Sequence, residues 1–413
     1  MQNRRVVVTG IGALTPIGLG LKAFSEGLFA GVSGANLITQ FDASKFKTKF
    51  ACELKGFKVE DYLDKKEARR MDPFTQYALV VANEAIVDAN FDHATIDKTR
   101  FGVVMGSGVG GMQVFTQEVG DFVKGDGTPR FNPFFIPRMI IDIAAGRISI
   151  EHGLKGPNYA SVSACATSSN CIIDAYMILK MGYADMMVAG GAEAPITVTG
   201  VGGFNAMKAM SESNDDFLTA SRPFDATRTG FVLGEGAGAL ILEDYDHAIQ
   251  RGAKIYAELA GIGMSADAYH ITAPHPDGDS VVLVMQNCIK DAGLLPQNVD
   301  YLNMHGTSTP LGDVAETRAI KKVFGEHAYT MNLSSSKSMT GHLLGAAGVV
   351  EAIASILAIQ EQCVSPTINF TTPDPDCDLN YTFNKAQKRE VSVAMSNTFG
   401  FGGHNACVLF KKM

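Results

Sequence analysis

The stretch that most constrains this chain is Asn158–Asn170, which reads Asn-Tyr-Ala-Ser-Val-Ser-Ala-Cys-Ala-Thr-Ser-Ser-Asn. Up to Val162 it is extended and small. From Cys165 through Lys180 apolar residues recur at three- and four-residue spacing, the period of a helix face. Ser, Ala and Thr build the turn between, so the segment reads as strand, tight turn and helix, with Cys165 at or near the helix start. Unpaired N–H groups and the helix dipole favour an anion there. At a partly buried site this is worth at most about 2 kcal/mol, or roughly 1.5 pKa units. The expectation is a thiol largely ionisable near neutral pH without a dedicated base. The competing reading is a buried structural cysteine, as most free cysteines are. Residues far along the chain decide between the two.

The same alternation of strand and helix runs through the chain. Arg5–Gly10 is a buried strand, and Gly10-Ile-Gly12 reads as the turn at its end, since the third glycine of a dinucleotide fingerprint is absent. Asp72-Pro73 supplies an N-cap and a first-turn proline for a helix running towards Ala89. Phe101–Gly111 is a strand ending in a glycine run without the Lys-Ser/Thr of a phosphate loop. Phe131–Ile136 is a bulky apolar loop that lines a pocket or a subunit contact, or is plain core. Ala184–Glu193 and a segment near Leu240 are further strands. Such alternation predicts an α/β fold with parallel sheets. From about residue 253 the pattern begins again: strand Lys254–Met264, helix Ser280–Ala292, strand Val299–Met304, and a helix Leu344–Gln360 that opens on small residues as the Cys165 helix does. The chain therefore divides into two similar halves, 1–252 and 253–413.

Its 413 residues, 46% of them hydrophobic, bury a large core. A net charge of −8 argues against a general nucleic-acid binder. The longest apolar run is interrupted by Gly and a charge, so no transmembrane helix is expected. The start, Met1-Gln-Asn-Arg-Arg-Val, passes directly into a strand and reads as neither signal nor transit segment. The seven cysteines are scattered, odd in number and without a CxxC pair, which argues against a disulfide framework or zinc site and for a reducing, cytoplasmic compartment. Lys65-Lys66-Glu67-Ala68-Arg69-Arg70 is a basic cluster on an acidic chain, either a solvated face or a dock for an acidic partner.

Three segments of the second half carry polar residues that a core would avoid: His305-Gly-Thr-Ser-Thr-Pro310 at a strand end, Lys337-Ser-Met-Thr-Gly-His342, and Asn397-Thr-Phe-Gly-Phe-Gly-Gly403. Strand ends are where α/β proteins place function. No carboxylate is spaced to make His305 and His342 a metal pair. A lone histidine is usually structural, as His93, His152, His247 and His327 are read here; two glycine-flanked ones with a helix-start cysteine are not.

Together with Ala164–Ser168, Arg222-Pro-Phe-Asp225 and Gly234–Gly238, these motifs resemble the Cys–His–His signatures of the β-ketoacyl-[acyl carrier protein] synthases, nearest to the elongating class of dissociated fatty acid synthesis. The resemblance spans essentially the whole chain. It implies the thiolase fold, two pseudo-duplicated halves in five α-β-α-β-α layers, usually a homodimer, with no cofactor and no metal. It implies Cys165 as the acyl-accepting nucleophile, and neutral His305 and His342 as stabilisers of the enolate left by malonyl decarboxylation. The N–H groups of Cys165 and Phe401 would form an oxyanion hole. Lys337 would stay protonated near His342 and meet Glu351, with Asp313 closing the His305 motif. Thr307 and Thr309 would hold a pantetheine arm. Val109, Phe135, Phe204, Phe399 and Phe401 would line or gate the acyl pocket. Acyl carrier protein is the implied partner, docked by Lys65, Lys66, Arg69, Arg70 and Lys208. The chain departs from the pattern at Val109, where Ile is common, and at Thr229, where an acid is common. A degradative thiolase would use a second catalytic cysteine, and Cys407 lies beyond the glycine loop inside a strand; a chain-initiating synthase would replace the second histidine with Asn. A polyketide ketosynthase shares all the motifs.

Overall fold

Strands buried on both faces read as nearly continuous apolar runs, and this chain contains many. The computed structural model describes residues 4–413; Met1–Asn3, where the absence of a leader was read, lie outside them. In chain order the main elements are β1 (Val6–Thr15), α1 (Pro73–Ala89), β2 (Phe101–Gly106), α2 (Ile143–His152), α3 (Thr167–Lys180), β3 (Met186–Glu193), β4 (Gly236–Asp244), β5 (Ala257–Ala266), α4 (Asp279–Asp291), β6 (Tyr301–Asn303), α5 (Pro310–Phe324), β7 (Asn332–Ser334), α6 (Ala347–Glu361), β8 (Val393–Gly400) and β9 (His404–Lys411). An eleven-stranded sheet runs β7-β6-β8-β9-β5-β1-β4-β3-β2, edged by Asn158–Tyr159, with Gly18–Leu19 paired to β1. It is pinched where β1 meets β5 over Val6–Val8 only.

The layers follow from which face each strand residue presents. Val104 and Met187 face inward with Ile172 and Tyr176 of α3 and Ile353 and Leu357 of α6. Their neighbours Val103 and Val188 face outward onto Phe74 and Val81 of α1 and Ile148 of α2. On the other half, Leu302, Met395 and Leu409 meet Val284 of α4 and Ile320 of α5. The result is α-β-α-β-α, with α3 and α6 as the shared central layer. The stretch Leu344–Glu361 is long and apolar enough to cross a membrane, yet 89% of it is buried inside this layer.

Two expectations need correction. The sheet is mixed: β2–β3, β6–β7 and β6–β8 are parallel, but β1, β4, β5 and β9 pair antiparallel. β8 and β9 are joined by only Phe401–Gly403, too short for a parallel crossover. Gly10 and Gly12 lie inside β1, not in a turn after it; a Cβ at either would strike the Ala85 or Val81 carbonyl of α1. Two turns of the chain are built alike. Ala164 (φ 50°) opens a one-turn 3₁₀ segment Ala164–Ala166 leading into α3, and Leu344 (φ 47°) opens Leu344–Ala346 leading into α6. Left-handed conformations at non-glycine residues cost energy and persist where surrounding structure fixes them. Here the strained turn before α3 carries Cys165.

Candidate active site

Cys165 follows Ala164 in that turn and is 6% exposed. Its sulfur lies 3.1 Å from His342 Nε2, and the Phe401 N–H points to it. Burial pushes the thiol up to about 12; the charge of Lys337 and the Phe401 N–H pull it down only in part, and Glu193 pushes it up. Burial therefore works against the expectation of a thiol ionised by the helix start alone. A helix start returns at most about 2 kcal/mol, worth roughly half of that rise. The resting sulfur needs a proton acceptor, and His342 is in place to be one.

His342 is held by its backbone: its N–H donates to Val232 O at 2.7 Å, and its carbonyl accepts from Gly234 N–H at 2.9 Å. Phe231 packs edge-on against the ring at 5.5 Å. His305 follows β6; its ring lies 5.4 Å from the His342 ring and 5.4 Å from Phe399. The Glu316 carboxylate accepts from the His305 and Gly306 N–H groups, each at 2.9 Å. Burial first, then the Lys337 charge, holds both imidazoles well below the usual histidine range, so both are neutral. Lys337 is ion-paired with Glu351, whose carboxyl burial raises to about 7 against the pull of that lysine. Asp313 is fully buried, accepts from the Phe224 N–H at 2.9 Å and pairs with Arg228 at 3.4 Å.

These groups border a cavity of about 440 Å³. Cys165, His305 and His342 line it, as do Val109, Phe204, Thr307, Thr309, Phe399 and Phe401. The Thr307 and Thr309 hydroxyls stand 3.1 Å apart. Lys208 is an exposed lysine that lines the cavity as well. Phe135 is not in the wall. It stacks on Phe131 at 5.6 Å and faces Phe115 at 6.4 Å in an aromatic patch on the surface, because its short helix Phe135–Met139 is spliced onto that face. Lys65, Lys66 and Arg69 are exposed, while Arg70 pairs with Glu67 at 2.8 Å and lies over the Phe134 ring. Sequence reasoning missed Glu193, Glu316 and Phe231. Glu316 sits eleven residues after His305 on α5, and its only signal is a carboxylate on an inward helix position.

Two family models cover most of the chain: the β-ketoacyl synthase N-terminal domain over residues 3–248 and its C-terminal domain over 256–371. The chain belongs to the β-ketoacyl synthase family. It is 52% identical over 411 residues to the 3-oxoacyl-[acyl-carrier-protein] synthase 2 of Staphylococcus aureus strain COL, covering 100% of this chain and 99% of that protein. It is 49% identical over 412 residues to the protein of the same name from Synechocystis sp., with 100% and 99% covered. Among solved structures, a β-ketoacyl synthase from Burkholderia phymatum superposes with TM-score 0.90 at 35% identity, over 99% of this chain and 100% of that one. A type II polyketide ketosynthase bound to its acyl-carrier protein superposes with TM-score 0.92 at 35% identity, over the whole of both chains.

Proposed function

We propose that this synthase takes an acyl group from one acyl carrier protein onto Cys165, freeing that carrier, and condenses it with malonyl on a second, giving 3-oxoacyl-carrier and CO2. The observation that carries the reading is the neutral His342 Nε2 at 3.1 Å from a buried Cys165 sulfur, with a second neutral imidazole, His305, beside it on the same cavity. In the first step His342 takes the thiol proton as the sulfur attacks the acyl thioester, and returns it to the departing pantetheine thiol. In the second, His342 shifts its ring proton from Nδ1 to Nε2, malonyl loses CO2, and the Nε2–H of His342 with a ring N–H of His305 stabilises the enolate oxygen. In the third, the enolate carbon attacks the Cys165 thioester. The N–H groups of Cys165 and Phe401 hold the oxyanion until the C–S bond breaks, and the thiolate then takes one proton from solvent to restore Cys165. Losing one such donor typically costs about 3–4 kcal/mol. Thr307 and Thr309 hold the pantetheine arm, and Lys337 with Glu351 fixes the charge behind the histidines. Identity of about half to 3-oxoacyl-[acyl-carrier-protein] synthases, against 35% to the polyketide ketosynthase, favours the fatty acid pathway.

The reading extends to a division at residues 252 and 253, a reducing cytoplasmic setting in keeping with seven free buried cysteines, and a homodimer. Lys65, Lys66, Arg69 and Lys208 are its carrier dock; Arg70, already paired, contributes less. The test is mass spectrometry after incubation with acyl-loaded carrier. An adduct appears on the Cys165 peptide; label on another cysteine rejects the assignment. His305→Ala and His342→Ala abolish malonyl decarboxylation, and normal decarboxylation in either variant removes that histidine from the mechanism. Charge reversal at Lys65 and Lys66 slows loading from the carrier but not from a small acyl thioester; equal slowing of both, or of neither, removes the dock.

A further inference from the structure

Glu193 ends β3 as a fully buried carboxylate that the mechanism above does not use. Four donors are divided between its oxygens. Oε1 accepts from the Ser107 hydroxyl at 2.6 Å and the Val109 N–H at 3.1 Å; Oε2 accepts from the Gly108 N–H at 2.7 Å and the Gly345 N–H at 2.8 Å. One side chain thus ties together the loop after β2, the end of β3 and the turn that opens α6 in the other half of the chain. The fit excludes anything larger than glycine: a Cβ at 108 would stand 2.8 Å from Oε2, and one at 345 would stand 2.6 Å from it. The position of a Gly108 Cβ is also 3.3 Å from the carbonyl of Ala164, the residue before the nucleophile. Val109, which the grip holds, and Leu344, which adjoins Gly345, both face the cavity beside Cys165.

We propose that Glu193 is a positioning residue: by holding Val109 and the Gly345 turn together it fixes the cavity wall beside Cys165, and so sets which acyl chains that sulfur accepts. The inference rests on the acyl-transfer reading above. The grip is directional. An ionised carboxylate only accepts hydrogen bonds, whereas a glutamine amide presents an NH2 on one side. In Glu193→Gln the NH2 must face one pair of donors. It turns to Ser107 and Val109, because a hydroxyl can rotate to accept while the Gly108 and Gly345 N–H groups cannot. The Val109 N–H is then the group left without an acceptor, and the wall loosens there.

The test uses the full chain and a mixture of short- and long-chain acyl thioesters on the carrier, with the Cys165 adducts read by mass spectrometry. In Glu193→Gln the ratio of long to short adduct rises about fivefold or more, the size of change one released hydrogen bond produces, with both proteins folded by circular dichroism. Ser107→Ala keeps the three N–H bonds and gives a smaller rise in the same direction. An unchanged ratio in folded Glu193→Gln, with the parent loaded normally, overturns the inference and leaves the proposed function standing. If Glu193→Gln does not fold, an unchanged ratio in Ser107→Ala overturns it. A parent that takes no acyl group on Cys165 overturns the function and the inference together.

Discussion

Lys337 and Glu351 are each 2% exposed at the side chain, and each is the other's counterion. Breaking a buried pair strands a charge and typically costs about 3–5 kcal/mol, whereas replacing both partners by apolar groups is often neutral. Lys337→Met therefore destabilises by that order. Its cost is smaller in acid than in base, because Glu351, raised to about 7 even with Lys337 pulling it down, rises further without that lysine and escapes by taking a proton. The double variant Lys337→Met with Glu351→Leu recovers most of the loss. Urea unfolding of the three proteins checks this, and a double variant no better than the worse single one defeats it. The histidines give a second residue-scale prediction. In the folded chain both rings stay neutral, while unfolded histidine binds a proton below about 6.5. The unfolded state then holds more protons, so stability falls as pH drops through that value. Replacing His305 and His342 with Gln flattens this part of the stability curve; a parent curve already flat there contradicts the assignment. The resemblance already gave these histidines as neutral, but the local sequence did not give the ionisation of the neighbouring thiol. Cys165 shows why: its place at a helix start was legible from the local period, whereas the burial that outweighs the helix comes from Phe231, Leu233 and Leu344, distant in sequence.

At the scale of elements, the site depends on how closely α3 and α6 cross. A Cβ at Gly348 would overlap Ser169 Oγ and stand 2.9 Å from the Ser169 backbone nitrogen, while the Ser168 hydroxyl accepts from the Val349 N–H at 2.9 Å. Both strained turns hang on this crossing. Gly348→Ala forces the helices apart and costs a few kcal/mol, as overpacking in a dense core does. Gly146 in α2 is the counterpart: nothing lies within 4 Å of its Cβ position. Gly146→Ala stabilises by about 0.5–1 kcal/mol through helix propensity alone. Denaturant midpoints separate the two, and a tolerated Gly348→Ala would mean the helices are not in fixed contact. Helices α1, α3, α4 and α6 were readable because a 3.6-residue period and a proline or small-residue start mark them locally. The pairing of β1 with β4 and β5 was not, because which strands meet, and in which direction, depends on partners more than two hundred residues away. For the same reason Gly10 and Gly12 read as a turn: the helix backbone that demands them is absent from their neighbourhood in sequence.

For the whole molecule, the unresolved feature of the surface is aromatic. Phe122 meets Phe131 at 5.4 Å, Phe131 stacks on Phe135, and Phe135 faces Phe115, with Phe134 and Ile136 46% and 54% exposed beside them. A monomer seldom leaves a contiguous apolar patch larger than a few hundred Å² in water, and stable interfaces bury upwards of about 1,000 Å². A second copy of the chain is the occupant the proposed homodimer would supply, and on that proposal Phe135 would meet the partner subunit. The proposed dock adjoins this patch, since Arg70, next to the exposed Arg69, lies over the Phe134 ring at 5.7 Å. A charge in the middle of the patch must then do two things. If the patch is the seam of the proposed homodimer, Phe131→Asp yields a monomer in sedimentation velocity, and it slows Cys165 loading from the carrier more than from a small thioester, because the proposed dock adjoins the patch. A parent that already sediments as a monomer sinks the dimer. A monomeric Phe131→Asp that loads from both donors as the parent does separates the seam from the dock and leaves the patch a contact between subunits alone.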